Sequence, residues 1–323
     1  MYLAPEGEEL EIANAAADFI AEALPIERLH QGLGPDMTAA VRASLGDMGW
    51  FALALAEDAG GSGLSAVEHA LFFREIGRQC GPVDILAQAL AANCAIGSDL
   101  CGVLISGKVG VALLLPEASA HRLIGATDAA YGLIATPDGA SLHDLAGANT
   151  EPRPALDPAN SLAVVTGLGP AVRSSGGPRI WQLGQVGTAA MLLGLSEAAL
   201  DLIVEYAKVR ETFGKAIGSW QAVRHTCADM AVGIEAARAQ LWYAATAMKE
   251  ARGDAAAHLD AAKHLANEAA LSATDSNIQL HGGIGVTEEH DAHLLMKHAT
   301  LLARLFGSRN DLLARLLHAE LED

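Results

Sequence analysis

Val223, Cys227, Met230, Ile234, Ala237 and Leu241 follow one another at alternating steps of four and three residues. That repeat places six side chains on one stripe of an α-helix, the seam by which a helix joins a bundle. A β-strand, whose faces alternate at every second residue, would scatter them over both sides. Leu192, Leu195, Ala199, Leu202, Ile203 and Tyr206 make a second stripe upstream. A third helix is predicted over roughly 255–280. A fourth is predicted to start after Thr287, where Glu288 and Glu289 suit the positive end of a helix. Hydrophobic residues make up 51% of the chain and aromatics only 4%. An interior so rich in alanine and leucine favours packed helices over sheets.

The rest of the chain divides by texture. Residues 8–104 read as helices joined by short loops. A glycine-rich turn leads to Ser65, which stands at capping-box spacing from Glu68, and Val67, Ala70 and Leu71 begin an apolar face. That helix should stop near Gly77, with Gly81-Pro82 as a second brake. From about 105 to 180 the short apolar runs VGVALLLP, YGLIAT and LAVVTG alternate with turn signals, Pro137-Asp138-Gly139 and Ser174-Ser175-Gly176-Gly177-Pro178 among them. This is β-like. The predicted fold is mainly α with a small β domain: an N-terminal helical domain (1–104), a reduced middle β domain (105–180) and a C-terminal four-helix bundle (181–323).

Asp and Glu outnumber Lys and Arg by 39 to 21, a formal charge of −18. Nucleic acid is an unsuitable partner for such a chain, because its binding depends on cations that neutralise phosphates. An anion could still bind where a local cation or a helix N-terminus meets it. The four cysteines form no CxxC pair and read as reduced core thiols. The acidic N-terminus does not resemble a signal peptide, and no stretch approaches ~18 uninterrupted apolar residues. A cytoplasmic protein with no membrane contact is expected.

Two stretches have the composition of a site. RETFGKAIGSWQ (210–221) joins two predicted helices and combines a cation, a hydroxyl, an aromatic, glycines and an amide. QLHGGIGVTEEH (279–290) carries Gly282, Gly283 and Gly285, which would let backbone N–H groups approach an anion. Together they suggest a phosphate-containing cofactor. The same glycines would also serve two plain helix–helix corners, and the residues alone leave both readings open. His290, His293 and His298 lack a supporting cysteine or acidic cluster, so they read as solvated or capping residues and no metal is expected. GGIG is not the GxGxxG fingerprint of a dinucleotide-binding βαβ unit.

RETFGKAIGSWQAVRHTCADM and QLHGGIGVTEEHDAHLLMKHA resemble the two FAD-contacting signatures of the acyl-CoA dehydrogenase family. GWFALALAEDAGGSGLSAVEHALFFREIGR resembles that family's N-terminal helical signature. The likeness covers nearly the whole chain, and the order of helical domain, β domain and bundle is similar too. It implies FAD as cofactor and an acyl-CoA thioester as substrate. It also implies cofactor-binding roles for Arg210, Thr212, Phe213, Gln221, Gln279, Gly282, Gly283 and Ser308, with Arg210 reaching a pyrophosphate across a subunit boundary. A bidentate guanidinium and oriented N–H groups are what a pyrophosphate requires.

The family's base is usually a glutamate before a Gly-Thr/Ser pair, and that register falls on Phe306, ahead of Gly307-Ser308. A second base position in some members falls on Gly184, beside the neutral Gln185. Asp311 would face away, displaced ~7.5 Å and ~140° on an ideal helix. Glu197 and Glu205 read as members of a solvated face. The middle domain is short, and TEPRPALD (150–157), read as a loop, lacks the Gly-Ser that would continue a flavin-lining strand. The resemblance is therefore to the subunit without the catalytic glutamate in heteromeric α2β2 bacterial enzymes, such as those of steroid side-chain degradation. The implied partner is a paralogous subunit that carries the glutamate.

Overall fold

A computed structural model describes residues 5–32, 39–126 and 128–322. The N-terminal part comprises α1 (Glu8–Ala23), α2 (Ala39–Asp47), α3 (Ala66–Arg78), α4 (Asp84–Cys94) and α5 (Asp99–Ile105). Ser65 and Glu68 form the reciprocal capping box that starts α3, which satisfies two of the amides a helix start leaves unpaired.

Seven strands follow: β1 (Val111–Pro116), β2 (His121–Ile124), β3 (Tyr131–Thr136), β4 (Gly139–Asp144), β5 (Asn149–Arg153), β6 (Leu162–Thr166) and β7 (Ala171–Gly176). They form one sheet in the order β5-β6-β2-β1-β3-β4-β7, parallel only between β1 and β3. Leu113, Ile124, Leu133 and Leu142 join the main core from one face, while Ala112, Leu114, Leu123, Ala163 and Val165 build a second cluster on the other. Two details differ from the sequence expectation. Thr150–Arg153 lie in the strand β5 rather than in a loop, and Pro152 is tolerated because β5 is an edge strand. Ser174–Gly176 continue β7, so the turn is confined to Gly177-Pro178.

The remaining chain is helical: α6 (Arg179–Val209), the tiny hairpin β8 (Glu211–Thr212) and β9 (Lys215–Ala216), α7 (Gln221–Lys249), α8 (Ala255–His281), α9 (Ala292–Leu302) and α10 (Arg309–Leu316). On α7 the seam is half-buried at Val223 and Cys227 and fully buried from Met230 to Leu241. α9 begins later than expected. Gly282–Val286 form a 3₁₀ turn, and the acidic pair at 288–289 lies in the turn that follows it. His290 Nδ1 then accepts the Ala292 N–H at 3.1 Å and caps the helix.

α6 is the axis of the molecule. Glycines let it touch α3 backbone to backbone: a Cβ on Gly77 would lie 1.9 Å from the Met191 carbonyl oxygen, and one on Gly194 would lie 1.9 Å from that of Arg74. By length and composition α6 could span a membrane, but 78% of its apolar window is buried within the fold. α6 and α8 run parallel. Gln185 donates to Asp260 at 2.7 Å near their starts, and the Tyr206 and His281 rings are 4.5 Å apart near their ends.

Several polar groups are buried where a solvated surface was expected. Glu197 belongs to no solvated face: it accepts from Arg74 at 2.7 Å, Arg238 at 2.9 Å and Arg78 at 3.4 Å, tying α3, α6 and α7 together. A carboxylate so far from water requires such partners. Glu205 does stay exposed, paired with Lys208. His298 is likewise buried rather than solvated, and it donates from Nδ1 to Asp157 at 2.8 Å. Asp157 also accepts from Asn160 and from the Ala159 N–H. Burial opposes the charge on Asp157, but His298 and these donors outweigh it and hold the carboxyl below its ordinary range.

Candidate functional site

Phe306 lies between α9 and α10 with φ 54°, and Gly307 follows at φ 122°. Both are in the left-handed region, where a bulky aromatic is an outlier. The conformation turns the ring inward. A Cβ on Gly184 would lie 2.1 Å from Cε1 of Phe306, so the ring rests directly on the α6 backbone. Trp181 covers it, with centroids 5.4 Å apart, and Phe306 is only 5% exposed. The two positions that the resemblance marks for a base, 122 residues apart in sequence, therefore meet in space, and one benzyl ring fills the room between them.

Two carboxylates are nearby, and both are engaged. Asp311 accepts from the Ser308 hydroxyl at 2.6 Å and from its N–H at 3.2 Å, the capping box that starts α10. Ser308 is thus committed to a helix cap. Asp260 accepts from Gln185 at 2.7 Å and from two nitrogens of Arg315, each at 2.7 Å. Both of its oxygens are thus engaged by donors from α6 and α10. The sequence reading missed Asp260. Its only signal is the polar series Asp260, Lys263 and Asn267, which interrupts an alanine-rich buried helix at one-turn spacing. Lys263, fully buried, donates to Asn267 at 2.6 Å and to the Leu302 carbonyl at 3.1 Å, closing the end of α9. Burial pushes its pKa down to about 7.

The other signature residues gather at the opposite end of α6. Arg210 is its C-cap, and the hairpin beyond is closed by the Ile217 N–H donating to the Arg210 carbonyl at 2.8 Å. Phe213 (φ 54°) and Gly214 (φ 78°) form the tip, with Phe213 95% exposed. Lys215 Nζ stands 3.6 Å over the Trp220 ring, and Thr212 is half-buried in the hairpin. Gln221 starts α7, Gln279 lies in the last turn of α8, and both are exposed. No hydrogen bond or ion pair from the described residues engages the guanidinium of Arg210. Gly282 has φ 67°, a reason for glycine in the backbone itself. Gly283 has none: its φ is ordinary, and a Cβ there would meet nothing within 4 Å. Beneath the turn, His281 donates from Nδ1 to the Asn277 carbonyl at 2.8 Å, and its ring lies between Tyr206 and His290. Burial lowers the pKa of both His281 and His290.

An exposed unpaired guanidinium, with an exposed glycine turn at the same end of the bundle, fits a diphosphate brought from outside the chain. A flavin ring fits less well. The cavity between the sheet and α9, about 380 Å³, is lined by aliphatic residues. Its polar groups are mostly committed. Thr300 donates to Met296, and Asn160 donates to Asp157 and accepts from Val83. Ser161 and Arg304 remain to meet a ring edge that carries several acceptor atoms. From Gly184 to Arg210 the helix also rises about 39 Å, so the Arg210 end and the Phe306 end cannot share a compact ligand.

The model of the acyl-CoA dehydrogenase N-terminal domain matches residues 6–99, and that of the acyl-CoA dehydrogenase C-terminal domain matches 182–320. Acyl-CoA dehydrogenase FadE34 of Mycobacterium tuberculosis is 33% identical over 94% of the chain, which spans 45% of FadE34's own length. Acyl-CoA dehydrogenase IpdE2 of Mycolicibacterium smegmatis is 32% identical over 83% of the chain and 84% of its own. Among solved structures, a Tcur3481–Tcur3483 steroid ACAD superposes with a TM-score of 0.81 at 25% identity, covering 96% of this chain and 97% of that one.

Proposed function

Because the chain belongs to the acyl-CoA dehydrogenase family, we propose that it is the subunit of a heteromeric, FAD-dependent enzyme that holds the cofactor's diphosphate while a paralogous partner supplies the base. The observation that carries this reading is the Phe306 ring seated on Gly184. It closes the space where a thioester's α-carbon and a carboxylate would meet, and both local carboxylates are already engaged in hydrogen bonds within the chain. The similarity to a two-component steroid ACAD supports a partner, and a steroid side-chain CoA ester is the proposed substrate class.

Bound FAD would accept the β-hydrogen of the acyl group as hydride. Within this chain, Arg210 would bind the diphosphate in bidentate fashion, and the side-chain-free backbone of the exposed Gly282-Gly283 turn would let a diphosphate approach closely. Thr212 and Phe213 would contact the cofactor from the hairpin, Gln221 would line the adenosine side, and Gln279 would stand with the glycine turn at the diphosphate. Phe306 and Trp181 would keep water and thioester out of the chain's own closed site. Proton abstraction would rest with the partner's glutamate, since forfeiting general-base catalysis costs roughly 10²–10⁴-fold in rate.

Co-purification with the paralogous subunit tests the reading. A complex retaining flavin and activity, with neither retained by this chain alone, is expected. An active, flavin-loaded assembly of this chain alone would overturn it.

A further inference from the structure

The cavity between the sheet and α9 has a character of its own. Leu115, Ile124, Leu156, Leu162, Leu301 and Leu305 give it an aliphatic wall. Its volume of about 380 Å³ lies within the range of small-ligand sites. The charges around it are unevenly balanced. Arg122 is paired with Glu117. Asp157 has both oxygens turned to His298, Asn160 and the Ala159 N–H. Arg304 is exposed and has no hydrogen bond or ion pair among the described residues. An aliphatic chamber with one unmatched guanidinium at its edge selects a ligand with an apolar body and one negative end.

We propose that this cavity binds an apolar carboxylic acid, its body against the leucines and its carboxylate on Arg304. A flavin ring is the wrong occupant, because it needs several donors along one edge and the cavity offers only Ser161 beside the arginine. A neutral lipid would leave Arg304 unmatched. The proposal does not depend on the role assigned to the bundle end, which lies about 39 Å away along α6.

Calorimetric titration of the full chain, alone and with its co-purified partner, tests the site with dodecanoate, deoxycholate, methyl dodecanoate and riboflavin as probes. Saturable binding of dodecanoate or deoxycholate is expected, the tighter of the two identifying a linear or a fused-ring body. Arg304→Gln should weaken the acid roughly tenfold and leave the methyl ester unchanged. Leu162→Trp, which fills the chamber, should abolish both. Arg304→Gln lies on the surface and is expected to fold, so the test stands even where the tryptophan variant does not. Absence of acid binding, equal binding by Arg304→Gln, or riboflavin displacing the acid would each overturn the proposal.

Discussion

Phe306 pays for its left-handed backbone with burial. Its ring contacts the bare backbone at Gly184 and the face of Trp181, so removing it should leave a cavity. Phe306→Ala is expected to cost about 3 kcal/mol or more in denaturant unfolding. Gly184→Ala should also destabilise, because its methyl group would enter the ring. The double variant should be more stable than the sum of the two predicts, since the methyl then occupies the vacated space; strict additivity would show that the two positions do not touch. Arg210 behaves differently. Its guanidinium supports nothing within the described chain, so Arg210→Ala should leave stability within about 0.5 kcal/mol. The same change should lower flavin retention in the co-purified complex, read as visible absorbance per protein. These contrasts were only partly legible in sequence. The seat of Phe306 follows from a register of motifs. Asp260 carries no motif and becomes visible only when α8 places it beside Gln185.

Among the elements, the helices were the most legible, because their seams repeat over many turns and burial fixes the face. The edge strand β5 was not, since a short polar segment containing proline has no alternation to read. The late start of α9 was hidden as well, because a 3₁₀ turn consumes the residues that would otherwise begin it. The α3–α6 contact leads to a sharp test. With a carbonyl oxygen where a methyl group would go, Gly77→Ala or Gly194→Ala should destabilise by about 3 kcal/mol, and a near-neutral result would mean the helices can separate. The α8–α9 contact responds to pH. Lys263 has a folded pKa of about 7, below its ordinary 10.5. Between those values the unfolded chain binds a proton that the folded chain does not, so stability rises with pH. From pH 7 to 9 the wild-type midpoint should climb, and Lys263→Met should flatten that rise; parallel curves would remove Lys263 as the cause.

At the scale of the whole molecule, the chain presents an exposed, unpaired cation and an open glycine turn at one end and a filled, apolar junction at the other. Mixing the wild-type partner with this chain carrying Arg210→Ala should give a complex of unchanged mass with less flavin. A complex that fails to assemble would instead make the arginine an interface residue. The middle sheet lies between the two helical blocks in sequence and contributes one face to the core they share, so it is not free to move as a separate unit. Three of its strands, β1, β3 and β6, could be placed from apolar runs in the sequence, but the sheet order could not, because the parallel β1–β3 pair depends on contacts that no local pattern encodes.

The 31-residue span of α6 has an evolutionary consequence. A rigid rod holds its two tips in fixed relation while sharing no side chains between them. After a gene duplication, one tip can decay under relaxed selection while the other is still maintained for the sake of a sister protein. Division of labour between descendants then needs no new architecture, only the silencing of one end.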